Sequence, residues 1–138
     1  KLRREAKSDK KIIFTGRISD VELKALIWAS DIFCFPSISK NEAFGLALAE
    51  AMYYAKPAVT FSIPGSGVNY VSLAGVTGIE VENRNVRKYA EAMKKLADDT
   101  KLREQYGMVA KQRVEEQFLS TKYRENLLEI IDKISNSE

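Results

Sequence analysis

Apolar residues follow two rhythms along this chain. Up to about residue 100, short apolar bursts alternate with stretches whose apolar positions recur every three or four residues. Beyond that point only the helical spacing is left. The bursts predict strands at Lys11–Gly16, Ile32–Phe35, Ala58–Phe61 and Gly78–Glu82. Between them the spacing predicts helices. Lys1 to Ala6 reads as the end of one. Val21 to Ala29 is a second, with Leu23, Leu26 and Ile27 on its inner side and Ser19 as cap. Glu22 stands three residues after Ser19 and completes a capping box. In a third helix, Ala43, Ala47, Ala51 and Ala55 recur every four residues beside Leu48 and Met52, and small residues let a helix lie close to a sheet. A fourth runs from Asn85 to Ala97, with Val86, Ala90, Met93 and Ala97 inward. The tail then gives two amphipathic helices, marked by Leu102, Tyr106, Val109, Val114 and Phe118, and by Tyr123, Leu127, Ile130, Ile131 and Ile134. Both stripes are read most simply as core, with part of the second exposed if that helix packs against a domain outside these residues.

Strand and helix in alternation imply an α/β fold: a Rossmann-like parallel sheet flanked by helices, with a helical C-terminal tail over 100–138. In such sheets ligands bind outside the carboxyl ends of the strands. Two loops leave those ends. One runs from Pro36 to Ala43. The other, Ser62-Ile63-Pro64-Gly65-Ser66-Gly67-Val68, is rich in glycine and serine and is expected to turn free amides toward a ligand, although an ordinary turn explains it equally well.

The candidate chemistry follows the first loop, in Asn41-Glu42-Ala43-Phe44-Gly45-Leu46-Ala47-Leu48-Ala49-Glu50. A loop ending at Gly45 passes straight into a helix, so the amides of Phe44, Gly45 and Leu46 are expected to point outward at its positive end, where a phosphate or sugar oxygen is stabilised. Glu42 lies before the helix and Glu50 about one and a half turns into it. Ionised carboxylates only accept hydrogen bonds, so the pair suits the hydroxyls of one elongated ligand rather than bare phosphate. A charged helix face carries such pairs by chance, and it is the surrounding strand–loop–helix–turn–strand order that favours a site.

At these residues the chain resembles the C-terminal, nucleotide-sugar-binding domain of retaining glycosyltransferases of the GT-B fold, family 4 or group 1. The resemblance runs from about Ile12 to Ile134. It includes Phe14-Thr15-Gly16, Ser30-Asp31-Ile32-Phe33-Cys34-Phe35-Pro36-Ser37, Glu42-Ala43-Phe44-Gly45-Leu46 with Glu50, Ala51-Met52 before Pro57, and Thr77-Gly78. It implies that Glu42, in the catalytic position, orients hydroxyls of the donor sugar, and that Glu50 binds the ribose. The backbone of Ala43, Phe44, Gly45 and Leu46 would meet sugar and diphosphate, while Gly16, Arg17 and Ile18 would meet the base. The implied partners are a nucleotide-diphosphate sugar as donor substrate and a hydroxyl acceptor, glycan or lipid-linked, held by an N-terminal domain that this chain does not contain. No cofactor is implied.

The chain departs from the family pattern in several places. The arginine and lysine that hold the diphosphate would lie upstream of Lys1, and there is no histidine anywhere. Ala55-Lys56 stands where the family commonly ends the signature helix in glycine, so that helix is expected to end differently. In the family's sheet order, 3-2-1-4-5-6, the four strands resemble 3, 4, 5 and 6. Ile12 to Phe14 would then lack neighbours. These 138 residues are therefore expected to be a partial domain of a longer chain, inactive alone, unless that strand pairs anew with the next strand or with another molecule. A nucleotide-sugar epimerase of related fold is the alternative enzyme, against which Glu-Ala-Phe-Gly-Leu argues. A non-catalytic nucleotide-binding or interaction module is the alternative from another class.

Composition narrows the remaining choices. The length suits one domain. The single Cys34 lies in an apolar run with no histidine to activate it and reads as an inert thiol. It cannot form an internal disulfide, which fits the cytoplasm or the inner membrane surface. No metal-ligand cluster is present, so no metal is expected. Residues 1–11 carry six Lys or Arg against Glu5 and Asp9, leaving the remainder of a chain of net charge +3 near neutral. A solvated helix end explains that cluster better than a nucleic-acid arm does. No run of about 18 apolar residues could span a membrane.

Overall fold

A computed structural model describes residues 5–6 and 9–135. Its centre is a parallel sheet of three strands, β1 (Phe33–Phe35), β2 (Ala58–Phe61) and β3 (Gly78–Val81), in spatial order β1-β2-β3. Phe33 pairs with Ala58, and Ala58 with Gly78. Around the sheet lie α1 (Asp20–Ala29), α2 (Leu46–Tyr53), α3 (Val68–Val71), α4 (Val86–Asp98), α5 (Thr100–Gln117) and α6 (Ser120–Ser135). The fold is Rossmann-like, and a helical tail is present as expected.

Strand alternation divides the core in two. Phe33, Phe35 and Ala58 face a cluster built from Leu48, Met52, Val68, Val71, Ala110 and Val114. Cys34, Val59 and Phe61 face the opposite cluster of Ile63, Tyr89, Ala92 and Leu96. Successive side chains of a strand point to opposite faces, so a central parallel strand needs apolar residues throughout, and all of β2 is buried. Helix α5 approaches the end of α2 at Gly107, where a Cβ would stand 2.1 Å from the Ala55 carbonyl oxygen.

Several expectations are corrected. Lys11–Gly16 forms no strand: Ile12, Ile13 and Phe14 are exposed, and among the described residues the sheet consists of β1, β2 and β3, so the segment does not pair with the open edge of β1. Helix α1 has the expected capping box, with Glu22 N–H donating to Ser19 Oγ at 3.3 Å and Ser19 N–H to the Glu22 carboxylate at 2.8 Å. Only Ile27 of its inner side is buried, however; Leu23 and Leu26 are exposed. On α2 the buried face is Leu48, Ala49, Ala51 and Met52, while Ala43 and Ala47 are exposed. Helix α4 turns Tyr89, Ala92 and Leu96 inward rather than Val86, Ala90, Met93 and Ala97. The buried stripe adjoins the expected one, and Tyr89 fixes the choice by donating its hydroxyl to the Val59 carbonyl at 2.8 Å. No residue of α6 is buried, so its whole stripe is surface in this chain, beyond the partial exposure expected of it. The helix end expected over Lys1 to Ala6 lies largely outside the described residues.

Helix α2 also ends in the left-handed conformation that its alanine was expected to avoid. Ala55 has φ 57°. Its N–H reaches the Met52 carbonyl at 2.9 Å, and Lys56 N–H reaches Ala51 at 3.1 Å, the pair of bonds that closes a Schellman motif. Satisfying those carbonyls outweighs the strain at Ala55, and Pro57 prevents any continuation.

Candidate functional site

The signature segment stands at the carboxyl end of β1, as doubly wound topology requires. Gly45 is the N-cap of α2 at φ 85°, ψ 55°, a left-handed conformation that strains any residue with a Cβ. This kink lets the chain reverse from the loop into the helix. Glu42 is half-buried, and its Oε1 accepts the Gly45 N–H at 3.1 Å. That corrects one expectation: the Gly45 amide is occupied by the glutamate instead of facing outward. Among the described residues the amides of Phe44 and Leu46 have no partner, and Ala47 adds a third that the sequence did not single out. Glu42 thus presents a carboxylate, fixed at one oxygen, beside free donors at the positive end of a helix.

The second loop braces the first rather than sharing its task. Ser66 Oγ donates to the Glu42 carbonyl at 2.9 Å, and Gly67 N–H to the Ala43 carbonyl at 3.1 Å. A Cβ on Gly67 would stand 2.0 Å from that same Ala43 oxygen, so the two loops touch backbone to backbone. The amides of Ser62, Ile63, Ser66, Gly67 and Val68 are all engaged, leaving only Gly65 without a partner among the described residues. The expected row of free amides is absent because the loop is consumed in holding its neighbour.

Glu42 and Glu50 open onto adjoining hollows. The first, of about 460 Å³, is lined by Phe35 and by residues 41–47. The second is a cleft of about 570 Å³ between α1, α2 and the end of α5. Asp20, Lys24, Glu50, Tyr53 and Tyr54 supply its polar atoms, and Leu23, Ile27, Ala49, Val114 and Phe118 its apolar wall. Phe44 and Leu46 border both. Tyr53 and Tyr54 follow Glu50 at three and four positions, a helical spacing from which the sequence could have suggested them. Asp20 and Lys24 become visible only once α1 is placed beside α2. Gly16, with φ 67°, and Arg17 are exposed and Ile18 is half-buried. None of these three lines either hollow, so the structure does not bring them to the glutamates, although Asp20 just beyond them reaches the cleft.

Cys34 lies behind the site. Burial pushes its thiol above the usual range. Tyr89 is itself pushed upward, chiefly by burial. Among the described residues no set of three or more metal-ligating side chains gathers in one place.

Residues 1–113 match the glycosyl transferases group 1 family. The chain belongs to that family. Among curated group 1 relatives, D-rhamnosyltransferase WbpZ of Pseudomonas aeruginosa is 33% identical over 105 residues, covering 76% of this chain and 27% of the relative. The chain therefore spans about a quarter of that protein. The C-terminal domain of the group 1 glycosyl transferase LpcC from Francisella tularensis superposes with a TM-score of 0.73 at 26% identity, over 86% of this chain and 60% of that one. Anabaena Alr3699/HepE, solved in complex with UDP and glucose, shares the fold with a TM-score of 0.79 at 20% identity, over 95% of this chain and 34% of that one. This group 1 chain thus has a parallel sheet flanked by helices, Rossmann-like, that matches domains of the GT-B type.

Proposed function

We propose that this chain is the donor-binding, C-terminal half of an enzyme that moves a sugar from a nucleotide diphosphate to a hydroxyl acceptor. One observation carries the reading: Glu42, held by the Gly45 N–H, stands beside the unpartnered amides of Phe44 and Leu46, with Glu50 along the same helix. Free amides at a helix N-terminus suit the diphosphate. A carboxylate suits sugar hydroxyls at Glu42 and ribose hydroxyls at Glu50. Ala43 and Gly45 shape the backbone there, and Gly16, Arg17 and Ile18 would meet the base only with a shift of their segment toward the cleft. Catalysis would come from positioning and from stabilising charge on the leaving diphosphate. Glu42 holds hydroxyls rather than forming a covalent bond, and the anomeric configuration is retained.

The UDP and glucose of the Anabaena complex, and the rhamnosyl transfer of WbpZ, are compatible with such a donor. The acceptor, glycan or lipid-linked, would be held by an N-terminal domain, and neither metal nor resident cofactor is part of this proposal. No helix among the described residues is long and apolar enough to cross a membrane. The reading places the enzyme in the cytoplasm or at the inner membrane surface.

Calorimetry on the full-length protein tests this assignment. Glu50→Ala is expected to weaken nucleoside diphosphate binding by about 1.5–3 kcal/mol, the worth of hydrogen bonds to a charged group. Glu42→Ala should leave that affinity nearly unchanged and lower turnover of the nucleotide sugar. Equal affinity in wild type and Glu50→Ala, both folded, would reject the ribose role. Sugar transfer by residues 1–138 alone would reject the division of labour.

A further inference from the structure

We propose that Arg113, remote in sequence from the signature segment, is a positioning residue for the donor loop. It would act through a strut of aromatic rings that ends on Phe44. The inference rests on the donor-site reading above and adds to it a residue that neither the sequence pattern nor the family signature singles out.

The strut begins on the last turns of α5. Arg113 is half-buried, and its guanidinium donates to two carbonyls at the carboxyl end of α3, from Nε to Val71 at 3.0 Å and from Nη2 to Tyr70 at 2.6 Å. Those carbonyls end a helix of only four residues, which has few internal bonds to hold it, so a cation at its negative end secures both its charge and its direction. The same guanidinium lies over two rings, 5.5 Å from the Tyr70 centroid and 5.3 Å from that of Phe118. Tyr70 and Phe118 meet edge to face at 5.9 Å. Phe118 meets Phe44 edge to face at 5.5 Å with an interplanar angle of 89°. Phe44 stands between Glu42 and the free amide of Leu46.

A second path leads from α3 to the same loop. Gly67, the N-cap of α3, bonds the Ala43 carbonyl and leaves no room for a side chain against it. The donor loop is therefore clamped at both ends of α3, through Gly67 at one and through the Tyr70–Phe118–Phe44 rings at the other. Arg113 binds the second end by hydrogen bonds to its carbonyls and by contact with its rings together. Removing it frees α3 to pivot about Gly67 and lets the Phe44 ring, with the amides beside it, leave the position that faces a diphosphate.

The experiment compares Arg113→Ala, Arg113→Lys and wild type in the full-length protein, well below the thermal midpoint of each. UDP and GDP serve as binding probes, and donor turnover is measured beside them. Arg113→Ala is expected to weaken binding of the accepted nucleotide about three- to tenfold, as loss of one cation–ring and one ring–ring contact implies. Arg113→Lys keeps the charge over the rings but not the forked pair of bonds, and is expected to fall between the two. Amide exchange at Gly45 and Gly67 in the unliganded protein is read in parallel and should accelerate in Arg113→Ala. A lower midpoint with nucleotide affinity within twofold of wild type and unchanged exchange at both amides would mean a purely structural arginine and would overturn the proposal. Should wild type bind neither nucleotide, the donor-site reading falls, and the exchange at Gly45 and Gly67 still decides whether Arg113 holds the loop.

Discussion

Single residues in this chain are governed by how closely backbones approach. Ala55 carries the strain of a left-handed helix cap, so Ala55→Gly is expected to raise stability by up to about 1 kcal/mol, read as a higher denaturation midpoint at unchanged m value. Gly67 is the opposite case. Its missing Cβ is the space in which the Ala43 carbonyl lies, so Gly67→Ala should separate the two loops and cost more than the gain at Ala55, with nucleotide affinity falling as well. Cys34 should react slowly with alkylating reagents at neutral pH and accelerate only on unfolding, because burial holds it as the protonated thiol. Glu42 and Glu50 could be found from sequence because their meaning is local: a loop, a glycine and a helix start within a few residues. The occupation of the Gly45 amide by Glu42 could not, because it depends on where one side chain turns once the loop is folded.

Elements were legible where the chain itself decides them and misread where a neighbour does. Strands β2 and β3 and the Ser19 capping box lie where local pattern puts them. The box also gives a pH test with a definite sign. Backbone and side-chain bonds from Ser19 hold the Glu22 carboxyl below its ordinary value, so its contribution is present above the unfolded-state value and is lost as pH falls through the lowered one. Protection of the amides in the first turn of α1, measured against the intrinsic exchange rate at each pH, should fall over that acid range, and Glu22→Gln should flatten the change. The buried face of α4 was misread because Tyr89 counts as polar by its tip although its ring fills the core. Leu96→Ala is accordingly expected to cost about 2–5 kcal/mol and Met93→Ala much less, a contrast that chemical denaturation would measure. Lys11–Gly16 has the composition of a strand, but whether it joins a sheet depends on the strands around it, which no local pattern reports.

At the scale of the whole molecule, apolar side chains are left uncovered on two regions, the segment from Ile12 through α1 and the length of α6. Patches of this kind mark surfaces that meet something else. The one tryptophan, Trp28, is 70% exposed and reports on the first region. In residues 1–138 alone its fluorescence should be readily quenched by acrylamide, whereas full-length protein should shield it. Equal quenching in both would show that α1 stays open to water in the full-length protein. The clamped loops carry a different consequence, one of time. Backbone that is already fixed by Gly67 and Ser66 lost its freedom when the chain folded, so a nucleotide bound there as proposed would have little left to order. Association measured by stopped flow should then be a single phase whose rate rises in proportion to nucleotide concentration, without the plateau that a slow loop rearrangement would impose.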